Sequence, residues 1–166
     1  MKKIALRALT ITVALLTLAL SLSLLSCNTA ETDAGFTFKT PAGAEISVGD
    51  PDMVIASLGA YISVNESASC GGIPGNDRVY LYSGFRVKTT PAEGGDVICQ
   101  IELMDDSLTT PEGLYIGMSA EDAKTAMNGK GAYASSGAGF YYTKGNCKLQ
   151  ISVRGGAVSG ITYLVA

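Results

Sequence analysis

The stretch CKLQISVRGGAVSGITYLV, residues 147–165, decides the expected fold. Apolar residues occupy every second position of its first half: Cys147, Leu149, Ile151 and Val153. This period of two is typical of a strand that buries one face. Gly155 and Gly156 follow at once and permit a tight reversal into the apolar residues 158–165, so the stretch predicts an antiparallel hairpin.

Upstream of the hairpin, one order of signals occurs twice in the chain. TPAG (40–43) is followed by GDPDMVIASLG (49–59), and TPEG (110–113) is followed by GMSAEDAKTAMN (117–128). In the first copy Asp50 is the expected N-cap with Pro51 after it. In the second copy Ser119 and Asp122 form an S-x-x-D capping box. Both copies therefore predict a helix of about two turns, too short to be stable without docking on a sheet.

Strand patterns also follow the first predicted helix. Residues 80–88 and 97–104 are rich in apolar and β-branched residues and flank a loop that contains Gly94 and Gly95. We therefore predict an α+β fold of two tandem helix-plus-antiparallel-strand repeats, residues 36–106 and 107–166. The repeats should form one sheet with the helices on one face.

The N-terminus carries the features of an export signal. Lys2, Lys3 and Arg7 precede the apolar run 8–25, and residues 24–27 read Leu-Leu-Ser-Cys. This ending resembles the lipobox of bacterial lipoproteins. The resemblance implies cleavage after residue 26, a thioether-linked diacylglyceryl group on Cys27, and residues 27–35 as lipidated cysteine and tether. The chain would then be a membrane-anchored lipoprotein on the extracytoplasmic face. A plain transmembrane anchor is the alternative.

Composition excludes several classes of function. The chain has no histidine, which removes imidazole zinc sites and the Ser-His and Cys-His nucleophile pairs. Without residues 1–26, 9 basic and 15 acidic residues remain, a net charge of −6 that argues against nucleic acid as a partner. We predict no metal, no cofactor and a monomer.

Three cysteines remain beside the lipidated one, and export would permit their oxidation. Cys99 and Cys147 share strand faces with apolar residues, so we expect both to be buried. Cys70 lies in a loop rich in serine and glycine, and a Cys70 to Cys99 disulfide is one alternative.

The chain contains two copies of one unit: a short helix that begins with G-D-P (49–51) or G-x-S (117–119), followed by an antiparallel meander. This arrangement resembles the β-lactamase inhibitory protein fold. It is also similar to single-unit outer-membrane assembly lipoproteins. The run TPEGLYIGMS, residues 110–119, resembles uncharacterised surface lipoproteins of anaerobic Gram-positive bacteria. The resemblance implies a binding scaffold without a cofactor, but no inhibitor residues of that family have a matching motif here.

The candidate binding residues lie on the predicted outward face of the sheet. They are Arg86, Lys88, Lys148 and Arg154, with Tyr80 and Tyr82 as aromatic anchors at its edge. Only Glu102 opposes these bases, so the face would attract an acidic protein surface or an anionic wall polymer. The alternatives are a merely solvated face and half-buried tyrosines.

We therefore predict a non-catalytic, lipid-anchored binding or assembly module of the cell envelope. The alternative is a small envelope hydrolase with an unrecognised serine nucleophile such as Ser135. We predict no catalytic residue, because no G-x-S-x-G elbow or base pattern accompanies the serines.

Overall fold

The alternating stretch at the end of the chain forms two neighbouring strands of an eight-stranded antiparallel sheet. A computed structural model describes residues 35–166. The expected signal peptide 1–26, the expected lipidation site Cys27 and the tether up to residue 34 lie outside the described residues. Within residues 35–166, no helix is long and apolar enough to cross a membrane.

Two short strands pair with each other, and eight longer ones form the main sheet. The short strands are β1 (Phe38–Lys39) and β2 (Glu45–Ile46). The main sheet contains β3 (Ser63–Ala68), β4 (Asn76–Leu81), β5 (Phe85–Ala92), β6 (Gly95–Leu103), β7 (Ala132–Ser136), β8 (Gly139–Lys144), β9 (Cys147–Arg154) and β10 (Ala157–Val165). Its strand order is β3-β4-β5-β6-β10-β9-β8-β7. A 3-10 helix (Asp52–Ser57) precedes β3, and an α-helix, α1 (Ala120–Ala126), precedes β7.

The expectation of an α+β fold made of two tandem helix-plus-strand repeats is wrong. The described residues are 48% strand and only 10% helical, and one large sheet dominates. The first expected helix is 3-10, and no side chain caps it. Asp50 does not serve as its N-cap, because its carboxylate accepts a hydrogen bond from the backbone N–H of Ser47 at 2.7 Å.

Part of the excess of strand comes from edge strands that have no apolar alternation. β3 (SVNESA) and β7 (AYASS) are mostly exposed on both faces. An edge strand that buries neither face needs no period-two pattern, so hydrophobic periodicity does not detect it.

The second expected helix is confirmed. The Ser119 hydroxyl accepts a hydrogen bond from the backbone N–H of Asp122 at 3.1 Å, as expected for a capping box. Ala123 and Met127, four residues apart, are both fully buried. This face docks α1 on the sheet, as a helix of seven residues requires.

The two halves of the sheet meet at a narrow seam. β6 and β10 pair over three residues only, with Ile101 opposite Tyr163 at the centre. On either side of these three pairs β6 and β10 are not hydrogen-bonded to each other, and backbone groups from other segments bond to them instead. The N–H of Gly49 bonds to the carbonyl of Ile98 at 2.7 Å, and the N–H of Gly117 bonds to the carbonyl of Val158 at 2.8 Å.

The hydrophobic core lies on one face of the sheet, which we call the core face. Both helices and the segment from Phe36 to Val48 contribute buried side chains to it. Phe38 is fully buried, with its ring 5.1 Å from Phe85 and 5.9 Å from Tyr163 between centroids. The opposite face, the open face, carries partly exposed polar side chains from the same strands, and it is the surface that concerns function.

Candidate functional site

The four basic residues singled out in the sequence all project from the open face. Leu149 and Ile151 are fully buried, so their neighbours along β9 point the other way. The same alternation on β5 places Phe85 and Val87 in the core and leaves Arg86 and Lys88 on the open face. For these four basic residues, the alternation in the sequence therefore predicted the correct face.

Arg86 is neutralised by its cross-strand neighbour. It lies opposite Glu102 in the β5–β6 register. Its Nη2 lies 2.6 Å from Oε2 of Glu102, and its Nε donates to the same oxygen at 2.8 Å. Gln100 donates a further hydrogen bond to that oxygen at 3.0 Å. The Arg86 charge is thus paired within the face.

Lys88 is also paired, with an acid that the sequence argument did not include. Its Nζ lies 2.8 Å from Oδ2 of Asp77 on β4, and the Thr90 hydroxyl donates to Oδ1 of Asp77 at 2.8 Å. The hydrogen bond from Lys88, followed by that from Thr90, lowers the pKa of Asp77 to about 2. Asp77, Val79 and Leu81 form a period-two set, but only the β4–β5 register shows that this set shares a face with Lys88.

Lys148 and Arg154 differ from the other two cations. Neither forms an ion pair with any acidic side chain in the described part of the chain. Lys148 Nζ lies 5.5 Å from the ring centroid of Tyr141. This cation–π contact stabilises the ammonium group but does not neutralise its charge. Arg154 is exposed at the end of β9. The open face therefore has a neutralised half on β4–β6 and a cationic half on β8–β10.

The neutralised half of the open face contains a small cavity. It has a volume of about 190 Å³ and is lined by Val79, Arg86, Lys88 and Gln100. Its size lies below the roughly 300–1,000 Å³ of small-molecule sites. This hollow suits a single side chain of a partner better than a free ligand.

The two tyrosines expected as edge anchors do not lie on the open face. Tyr80 pairs with Val87 in the β4–β5 register and therefore points to the core face. Tyr82 is only 4% exposed and stacks on Phe85, with 4.7 Å between ring centroids. Burial raises the pKa of Tyr82. Neither tyrosine can contact a partner on the open face, because the strand parity turns both rings the other way.

The three cysteines in residues 35–166 are free thiols. Cys70 is exposed, and Cys147 is buried as expected. The expectation that Cys99 is buried is wrong: it is half-buried, because the β5–β6 register shifts between Lys88 and Thr89 and leaves Cys99 at the irregularity, while Ile98 takes the core position. Cys99 donates to the carbonyl oxygen of Lys88 with its Sγ at 3.5 Å, and no Cys70 to Cys99 disulfide is formed. Burial raises the pKa of the Cys147 thiol to about 11.

Ser135, the serine of the hydrolase alternative, lies on the edge strand β7 opposite Phe140. No lysine or carboxylate from residues 35–166 forms a hydrogen bond with its hydroxyl group. The same residues bring together no group of three or more metal-ligating side chains.

No family model matches the chain, and no curated protein or solved structure shows significant similarity to it. Function must be inferred from the residues of this chain. The cationic half of the open face is the feature with the clearest chemical consequence.

Proposed function

We propose that this chain is a lipid-anchored, non-catalytic binding or assembly module of the cell envelope. Its cationic half, Lys148 and Arg154, would recognise an acidic protein surface or an anionic envelope polymer. The observation that carries the proposal is the absence of an ion-pair partner for either residue among the described side chains.

The cationic half differs in charge from the protein as a whole. The chain beyond residue 26 has a net charge of −6, yet the side chains around Lys148 on the open face are uncharged. In the pairing register they are Tyr141, Thr143, Gln150, Thr162 and Leu164. A local positive field on an acidic protein steers an anionic partner to one orientation.

The neutralised half supports the same function in a different way. Arg86 and Lys88 are held by Glu102 and Asp77, so their positions are fixed before a partner arrives. A pre-organised polar surface loses less conformational entropy on binding than mobile side chains do. The open face therefore carries paired charges at one end and unpaired cations at the other.

The anchoring part of the proposal rests on the Leu-Leu-Ser-Cys ending at Cys27. Two acyl chains hold a protein at a membrane stably, whereas one is marginal. When cells are grown with a labelled fatty acid, the wild-type chain should incorporate the label and the Cys27→Ser variant should not. Equal labelling of both chains would contradict the anchor.

Binding is tested with the full chain in detergent micelles and two defined anionic probes. Poly-L-glutamate represents an acidic protein surface, and poly(glycerol phosphate) represents an envelope polymer. We expect at least one probe to bind with an affinity that falls as salt is raised, because salt screens exposed charges. The double variant Lys148→Gln/Arg154→Gln should weaken binding about tenfold or more.

The matched control removes the same charge from elsewhere. Lys39→Gln/Lys144→Gln deletes two lysines that lie off the open face and should leave probe binding nearly unchanged. Equal loss in both double variants would show that only net charge matters. No binding of either probe would refute the proposed recognition of anions.

A further inference from the structure

A groove on the core face, beside the edge strand β7, is separate from the open face. It lies between α1 and β7, with a volume of about 510 Å³, within the roughly 300–1,000 Å³ of small-molecule sites. We call it the α1–β7 groove. Its lining includes Glu121, Lys124, Asn128, Tyr133 and Tyr142.

Aromatic rings form the floor of this groove. Tyr133 is 53% exposed, and its ring meets that of Tyr142 edge to face at 5.5 Å between centroids. Phe140 lies beneath both, 6.1 Å from each centroid. Exposed aromatic carbon held in place by neighbouring rings offers a flat apolar surface at little entropic cost.

The charges in the groove cancel each other. Lys124 Nζ lies 2.9 Å from Oε1 of Glu121 and 5.7 Å from the ring centroid of Phe140. An anion would have to compete with Glu121 for Lys124, and a cation would be repelled by the ammonium group above the ring. The lining therefore favours a ligand that carries no charge.

Polar groups without internal partners line the wall. Tyr142 is 5% exposed, and no described residue forms a hydrogen bond with its hydroxyl group at the groove wall. The side-chain amide of Asn128, an exposed residue, likewise forms no hydrogen bond with residues 35–166, and it offers both a donor and an acceptor. These groups suit a ligand that carries several hydroxyl groups.

We infer that the α1–β7 groove binds a neutral saccharide. A sugar ring has an apolar face of C–H groups, which would stack on Tyr133, and a rim of hydroxyl groups, which would pair with Asn128 and Tyr142. The volume accommodates a ligand of disaccharide size. This site does not depend on the cationic half of the open face, which lies on the other side of the sheet.

The test uses the full chain labelled with ¹⁵N in a zwitterionic detergent, because alkyl glycoside detergents would compete for the site. Chitotriose and cellotriose are the neutral probes. We expect at least one of them to shift the amide signals of residues 121–133 with a dissociation constant of about 1 mM or tighter. Absence of shifts there for both probes at about 10 mM would overturn the inference.

Substitutions at two positions locate the site. Tyr133→Ala should weaken saccharide binding about tenfold, and Asn128→Ala, at an exposed position, should weaken it about threefold. Tyr61→Ala is the matched control, since Tyr61 is 47% exposed and meets Tyr80 edge to face at 5.5 Å near the opposite edge strand. Equal weakening by Tyr61→Ala, or stronger shifts with an extended peptide than with either sugar, would also overturn the inference.

Discussion

The hydroxyl group of Tyr163 donates a hydrogen bond to the carboxylate of Glu112, with 2.9 Å between Oη and Oε2. Tyr163 is fully buried on β10, opposite Ile101 at the centre of the seam between the two halves of the sheet, while Glu112 belongs to the turn that follows Pro111. The corresponding turn near Thr40 has alanine in place of Glu112. This hydrogen bond connects the turn around Glu112 to the centre of the sheet. Burial raises the pKa of Tyr163, and the nearby Glu112 carboxylate raises it further.

Removing this hydroxyl should destabilise the protein. Tyr163→Phe keeps the ring and deletes a hydrogen bond to a charged acceptor, which costs about 1.5–3 kcal/mol. We expect the melting temperature to fall by roughly 3–6 °C for each kcal/mol lost. Tyr115→Phe is the control, because Tyr115 is 43% exposed and its hydroxyl has no partner among residues 35–166. Equal melting temperatures of Tyr163→Phe and Tyr115→Phe would show that the Tyr163–Glu112 hydrogen bond does not stabilise the protein.

The Lys88–Asp77 pair predicts a dependence of stability on acid. The pKa of Asp77 is lowered to about 2 in the folded chain, against roughly 3.9 when unfolded. Its stabilising effect is therefore fully present above about pH 4 and is lost as the pH falls through about 2. Asp77→Asn should cost about 1 kcal/mol or less at pH 6 and clearly less at pH 2, where about half of the folded chains carry a protonated Asp77, measured by urea unfolding.

The control for this acid test is Asp106→Asn. Asp106 is exposed and forms no ion pair with a described side chain. Its substitution should leave the stability difference between pH 6 and pH 2 unchanged. An Asp77→Asn variant whose deficit at pH 2 is as large as at pH 6 would contradict the assigned role of the carboxylate.

The hairpin and the two faces of the sheet were predictable from sequence because they depend on local alternation. The turn at Gly155 and Gly156 joins β9 to β10 as expected, and Leu149 is buried while Lys148 is not. The capping box at Ser119 was predictable for the same reason, since all its partners lie within three residues. Each of these signals needs no knowledge of distant parts of the chain.

The strand content and the charge balance depend on long-range pairing, which a single sequence does not contain. β3 is polar on both faces, and only its register with β4 makes it a strand. Asp77 neutralises Lys88 only because β4 lies beside β5. For the same reason the sequence patterns predicted a larger cationic surface than the structure has. Two of the four predicted basic residues, Arg86 and Lys88, are paired with acids. The predicted anchor Tyr82 lies in the core.

A pair of glycines in the β7–β8 hairpin predicts opposite responses to alanine. A Cβ added at Gly139 would overlap the backbone carbonyl oxygen of Ile151 on β9, whereas a Cβ at Gly137 would meet nothing within 4 Å. Gly139→Ala must push β8 away from β9, so it should lose about 2 kcal/mol or more. Gly137→Ala should be neutral or slightly stabilising, because it restricts the unfolded chain. Chemical denaturation of both variants measures this contrast, and equal stabilities would contradict the close packing at Gly139.

The three described cysteines should differ sharply in their reaction with a thiol reagent. Cys70 is exposed in its loop, while Cys147 is buried with a pKa of about 11, so few of its thiols are ionised at neutral pH. Peptide mass spectrometry after maleimide treatment should find Cys70 modified first and Cys147 about 100-fold or more slowly, since its labelling requires local opening. Cys70→Ser should remove the fast phase and leave the Cys147 rate unchanged. Resistance of Cys70 to the reagent until a reductant is added would contradict the free, exposed thiol.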